Sequence, residues 1–155
     1  MSNPETVLDP DIELPATAGR ILRGATRLLE GLGYAALPEY TLGNGRRADI
    51  LAIDGAGQVT IVEIKSSRAD FAADHKWRDY LEFCDRFYFA VEPDFPLGLL
   101  PEEVGLICAD AHGGSIRREG APQPINGNRR RSLILGVALT ASRRLARLAD
   151  PELPW

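Results

Sequence analysis

Residues 48–65, ADILAIDGAGQVTIVEIK, constrain the fold more than any other stretch of the chain. Two apolar runs, one from Ala48 to Ile53 and one from Val59 to Lys65, flank the polar, glycine-containing segment Asp54-Gly55-Ala56-Gly57-Gln58. That is the pattern of a β-hairpin. A hairpin symmetric about Ala56 pairs residues whose numbers sum to 112, which sets Asp49 opposite Glu63. Directly opposed side chains have Cβ atoms about 4.5–5.5 Å apart. Side chains alternate faces along a strand, so Lys65 shares the face of Glu63. Asp49, Glu63 and Lys65 are therefore expected to converge.

Two carboxylates side by side cost energy unless a cation or a proton stands between them. Packing does not require a polar cluster on strands otherwise built from Ile, Val, Leu and Ala. An acid pair with an ammonium beside it suits Mg²⁺ or Mn²⁺, since Mg²⁺ is a hard ion that takes oxygen ligands and keeps several of its waters. The alternative is a partly exposed salt bridge on an edge hairpin. Lysine usage weighs against it, because Lys65 and Lys76 are the only lysines in the chain and arginine carries positive charge elsewhere. Lysine is also the basic side chain whose pKa shifts readily on burial.

With 155 residues, 45% of them apolar and 26% charged, the chain fits one globular domain with a core of its own. A formal charge of −4 excludes a strongly basic nucleic-acid coat but not a local basic face. The charge is distributed unevenly. Residues 1–15 carry four acids and no base, whereas residues 111–149 carry eight arginines against Glu119 alone. Cys84 and Cys108 form no CxxC pair, as suits two buried thiols in a reducing compartment. No charged segment leads into an apolar signal-like stretch, and the longest nearly continuous apolar run, Leu133 to Ala141, is far too short for a membrane span. A soluble, cytoplasmic protein is expected.

In chain order, residues 1–16 read as an acidic arm, flexible and interrupted by Pro4, Pro10 and Pro15. A helix from Thr17 buries Ile21, Leu22, Ala25, Leu28 and Leu29 and ends at Gly31 and Gly33. Residues 34–42, with Pro38 inside them, form a first strand at an edge or with a bulge. The two hairpin strands follow. Ser67 and Asp70 have capping-box spacing, so a helix is expected over about 68–84 with Ala73, Trp77, Tyr80, Leu81 and Cys84 inward. Strands over 86–91 and 105–109, a short strand over 115–118, a loop over 119–128 and a helix over 129–149 complete the order. The apolar side of the last helix includes Leu133, Ile134, Val137, Ala138, Ala141, Leu145 and Leu148.

This order places an Asp on the second strand and Glu-x-Lys on the third, and it resembles the PD-(D/E)XK, restriction-endonuclease-like nuclease superfamily. The proline of that motif is replaced by Ala48. The segments GRRADILAIDGAGQVTIVEIKSSRADF, DHKWRDYLEFCDRFYFAV and LPEEVGLICAD together resemble the MmcB family of bacterial DNA-repair proteins, over residues 17–148. The resemblance implies an α/β fold with a restriction-endonuclease-like core: a helix, a three-stranded antiparallel sheet, a helix, further strands and a C-terminal helix, within a single domain over 17–150. It also implies divalent-metal-dependent hydrolysis of DNA phosphodiesters, with endonuclease and exonuclease both open. The alternative is a non-catalytic module that binds structured DNA or other repair proteins and keeps the nuclease fold.

Carried over residue by residue, Asp49 and Glu63 are implied metal ligands with the backbone carbonyl of Ile64, and Lys65 positions the attacking water. Relatives place a further acid on the first helix. The exposed side of that helix here offers Arg20, Arg23 and Arg27, which leaves Glu30 or, from the first strand, Glu39. Lys76 either points into the site to contact phosphate or water, or is a solvated helix charge. Arg46, Arg47, Ser66, Ser67 and Arg68 flank the site and suit DNA phosphates. Arg129, Arg130 and Arg131 serve either DNA or solubility. No base-reading element is present, so recognition by DNA shape or ends is expected. The oligomeric state stays open.

Overall fold

A computed structural model describes residues 16–154; the acidic arm falls almost wholly outside the described residues. The chain runs α1 (Ala16–Gly31), β1 (Tyr34–Thr41), β2 (Arg47–Asp54), β3 (Val59–Ile64), α2 (Arg68–Ala73), a 3₁₀ helix (Trp77–Phe83), β4 (Arg86–Val91), a 3₁₀ turn (Leu97–Leu99), β5 (Gly105–Ala109), β6 (Gly114–Arg118) and α3 (Gly127–Ala149). The strands form one open sheet in the order β1-β2-β3-β4-β5-β6. β1, β2 and β3 are antiparallel neighbours, β3, β4 and β5 are parallel, and β6 returns antiparallel. This α/β arrangement, an open mixed sheet with helices against it, is the restriction-endonuclease-like fold.

The alternation of β3 separates two cores. Val62 and Ile64 face α1 with Ile50, Ala52, Ala90 and Ile107, and meet Ile21, Leu22, Ala25 and Leu29. Val59 and Ile61 face the other way with Leu51, Phe87 and Phe89, against Trp77, Tyr80, Phe83 and Leu133. α1 approaches so closely that a Cβ on Gly24 would lie 1.9 Å from the carbonyl oxygen of Asp110.

The hairpin has the expected register: Ile50 pairs Val62, Leu51 pairs Ile61, Ala52 pairs Thr60 and Ile53 pairs Val59. Its turn is closed by Asp54, whose Oδ1 accepts from the N–H groups of Ala56 and Gln58 at 2.9 Å. β1 carries the expected irregularity one residue after Pro38, where Glu39 has φ +52°, a left-handed conformation rare for a side chain of this size. The strand over 115–118 is present, extended by Gly114.

Two expectations are corrected. The helix over 68–84 is two elements, because α2 ends at Ala73 and Asp74, His75 and Lys76 turn the chain before the 3₁₀ helix. Trp77, Tyr80 and Cys84 are buried as expected, but Ala73 is exposed. The apolar side of α3 is not buried as a whole. Leu133 is its one buried residue, and Ile134, Leu145 and Leu148 are exposed. Polar bonds hold this helix instead. Arg130 Nη1 and Nη2 donate to both oxygens of buried Asp85 at 2.6 and 2.8 Å. Arg144 donates to the main-chain carbonyls of Pro38 and Glu39. No helix among the described residues is long and apolar enough to cross a membrane.

Candidate functional site

The pairing of β2 with β3 stops at Ile50 and Val62. Beyond that point β2 stays with β1 through Tyr40↔Ala48 and Thr41↔Arg47. β3 stays with β4 through Glu63↔Phe89 and Ile64↔Ala90, and the Lys65 N–H donates to the Ala90 carbonyl at 3.0 Å. The sheet therefore forks between β2 and β3, and the two acids occupy the fork. Each carboxyl takes over a main-chain donor of the opposite strand: Asp49 N–H donates to Glu63 Oε1 at 3.0 Å, and Ile64 N–H donates to Asp49 Oδ2 at 2.7 Å. The second oxygen of each carboxyl receives no hydrogen bond, and neither acid has an ion-pair partner among the described residues.

Glu63 is only 6% exposed. Burial pushes its carboxyl well above the usual carboxylate range, and the neighbouring Asp49 pushes it further. Asp49 is raised by burial too, against the Ile64 N–H that lowers it, with Glu39 adding to the rise. Both shifts come first from burial, with a neighbouring carboxyl adding to each. The salt-bridge alternative does not describe this pair, since β2 and β3 are interior strands and the ion pair of Lys65 lies elsewhere.

Lys65 is buried on the same face and lowers both acids electrostatically. Its Nζ, however, is 2.7 Å from Asp74 Oδ2 and 3.8 Å from Asp70 Oδ1. Asp74 is the participant that sequence reasoning missed. Burial alone would raise it, but Lys65 and the N–H groups of Lys76 and Trp77 hold it below the ordinary range. No local signal marks it, because only the end of α2 at Ala73 makes Asp74 its C-cap and turns it to Lys65. Tyr80 closes the inner wall, donating its hydroxyl to the Arg47 carbonyl at 3.0 Å. Its hydroxyl is pushed up by burial and by Glu63, Asp49 and Asp74.

The remaining predicted site residues separate into near and far. Glu39 is buried, raises Asp49 electrostatically and is held by Arg47 Nε at 2.7 Å. Glu30 is exposed and caps β1 by accepting from Ala36 N–H at 3.2 Å, so it is not brought to the pair. Ser67 Oγ accepts from Asp70 N–H at 3.0 Å, and Ser66 N–H donates to Asp70 Oδ2 at 3.2 Å, which fixes the start of α2 beside the site. Arg68 at the same helix start is exposed. Arg46 pairs with Asp79 at 3.0 Å. Lys76 is exposed on the turn before the 3₁₀ helix. Arg129 lies over the Phe83 ring and near Glu82, Arg130 is committed to Asp85, and Arg131 is exposed.

Among the described residues no group of three or more His, Cys, Asp or Glu side chains could hold a metal ion. The donor chemistry of the pair nevertheless fits a hard divalent cation, because each of the two neighbouring carboxyls keeps one oxygen free of hydrogen bonds. Mg²⁺ is often held by one or two carboxylates, with water and substrate phosphate completing its shell.

Comparison with known proteins agrees with this geometry. A match to the family described as "DNA repair protein MmcB-like" spans residues 5–152. The chain is also similar to the solved structure of the SPO1766 protein of unknown function from Silicibacter pomeroyi, with 41% sequence identity, a TM-score of 0.87, and coverage of 93% of this chain and 98% of that one. No curated protein is matched.

Proposed function

The chain belongs to the MmcB-like family, and on that premise we propose that it is a divalent-metal-dependent nuclease that hydrolyses DNA phosphodiesters in repair, working in the cytoplasm. One observation carries the reading: the buried carboxyl of Glu63 and the partly buried carboxyl of Asp49 stand side by side at the sheet fork, each with an unbonded oxygen and neither in an ion pair. Asp49 and Glu63 are the residues that would hold Mg²⁺ or Mn²⁺, with the main-chain carbonyl of Ile64. When bound, the ion supplies Lewis-acid polarisation of the scissile phosphate and a water of lowered pKa.

Lys65 orients the attacking water. Its ammonium has three donors, and the short contact to Asp74 uses one of them. Asp74 acts through Lys65, steadying the buried ammonium from 2.7 Å. Arg46, Arg47, Ser66, Ser67 and Arg68 border the fork and take backbone phosphates, which favours recognition of DNA without base reading. Glu39, on β1 beside Asp49, is the further acid of this reading.

The test is cleavage of single strands, nicked duplexes, flaps and junctions with Mg²⁺ or Mn²⁺, repeated with chelator and with Asp49→Ala. Cutting that needs the metal and disappears in the variant is expected. Cutting that survives either treatment refutes the assignment. A second reading, a non-catalytic module for structured DNA or repair partners, is favoured by the absence of a third metal-ligating side chain beside the pair among the described residues. It predicts salt-sensitive DNA binding with no turnover under any metal condition.

A further inference from the structure

α3 presents two seams. Arg130, Leu133, Val137, Thr140, Arg144 and Arg147 follow one another at steps of three and four, and all are at least partly buried. On the outside a second seam keeps the same heptad spacing: Arg131, Leu135, Ala138, Ser142, Leu145 and Ala149, every one exposed. Leu135 is 59% and Leu145 67% exposed, with Leu139 at 45% beside them. A monomer gains nothing from that many exposed leucines on one helix, and a contiguous apolar stripe marks an interaction surface.

The outer seam is nearly palindromic about residue 140. Reversing it sets Leu135 against Leu145, Ala138 against Ser142, and Arg131 against Ala149, next to the exposed acids Asp150 and Glu152. Self-complementarity under reversal is the requirement of an isologous two-fold contact. The small residues at the centre let two helix backbones approach closely, and the two leucine pairs fill the space on either side. Antiparallel packing brings Arg131 of one copy near the acidic C-terminal end of the other at both ends. Parallel packing would instead set arginine against arginine. The helix has 23 residues, so it is about 34 Å long, enough for one helix pair to supply most of the roughly 800 Å² per partner of a standard interface.

We infer that the outer face of α3 is the dimerisation surface of this protein, covered by the α3 of a second copy packed antiparallel with residue 140 near the two-fold axis. The test is sedimentation equilibrium of the full chain at micromolar concentration, with melting temperature followed in parallel. Wild type is expected at twice the 16.9 kDa chain mass. Leu135→Glu alone, and Leu145→Arg alone, should weaken association by at least about tenfold, with the intrachain fold retained because both side chains are exposed. The double variant Leu135→Glu with Leu145→Arg should restore the dimer, because reversal places the new charges opposite one another. A wild-type chain that remains monomeric at 100-fold higher concentration overturns the inference, as does a dimer unaffected by either single variant. Failure of the double variant to restore association overturns the antiparallel register.

Discussion

Replacing Glu63 by Gln should raise the stability of the metal-free protein and lower that of the metal-loaded protein. The glutamine oxygen can still accept from Asp49 N–H, now 3.0 Å from Glu63 Oε1, and its amide can donate to the Asp49 carboxyl. What disappears is a carboxyl that folding must keep protonated beside another acid. The folded-state pKa of Glu63 lies above its unfolded value of about 4.3. The native state therefore holds a proton that the unfolded chain loses. Stability is full below the unfolded value and declines as pH rises toward and through the folded one. Each unit of separation corresponds to about 1.4 kcal/mol, so a gain of about 2 kcal/mol at pH 8 is a conservative expectation for Glu63→Gln, or about 4–8 °C in melting temperature for a chain of this size. With Mg²⁺ at 100 times its dissociation constant, the wild type gains about 2.7 kcal/mol that the variant largely forgoes, and the order of melting temperatures reverses. Differential scanning calorimetry from pH 5 to 8, with chelator and with Mg²⁺, reads both effects. A variant that melts at or below wild type in chelator at pH 8 would refute the reasoning.

Lys65→Met should reduce cleavage by about 10²–10⁴ while changing Mn²⁺ affinity, read by titration calorimetry, by less than about tenfold. The same change should cost about 1–3 kcal/mol in thermal stability, because it leaves the partly buried Asp74 without the ammonium 2.7 Å away. Mg²⁺ binding near pH 7 should release about one proton, since Glu63 and Asp49 are both raised and the ion must displace what they hold; calorimetry in buffers of different ionisation enthalpy counts it, and binding with no proton release contradicts the assignment. Asp85→Ala should destabilise by about 3–5 kcal/mol in chemical denaturation, because it strands Arg130 and the N–H groups of Val59 and Ile125; a loss below about 1 kcal/mol would show that α3 is held by other contacts.

The hairpin was legible because its information is local. A glycine-containing turn between two apolar runs sets the register, and the register sets Asp49 against Glu63. The fork was not legible, since it depends on β2 staying with β1 while β3 stays with the parallel neighbour β4, a pairing between residues more than twenty positions apart. The break after Ala73 escaped a periodicity argument because Trp77, Tyr80 and Cys84 keep helical spacing across it. Asp74 escaped for the same reason: on a continuous helix it is one more surface acid, and only the turn brings it to Lys65. Arg130 looks like Arg129 and Arg131 in sequence, and nothing local reveals that Asp85, forty-five residues earlier, waits for it. On α3 the apolar pattern predicts one buried side, whereas the helix divides its apolar residues between two seams.

The central claim is that the acid pair at the fork is a metal site. Crystals soaked in Mn²⁺ and measured for anomalous scattering test it most directly. The account predicts a peak about 2.1 Å from one oxygen each of Asp49 and Glu63, absent in crystals of Asp49→Ala. An anomalous map with no peak at the fork at millimolar Mn²⁺, from crystals soaked together with a DNA oligonucleotide, would contradict it.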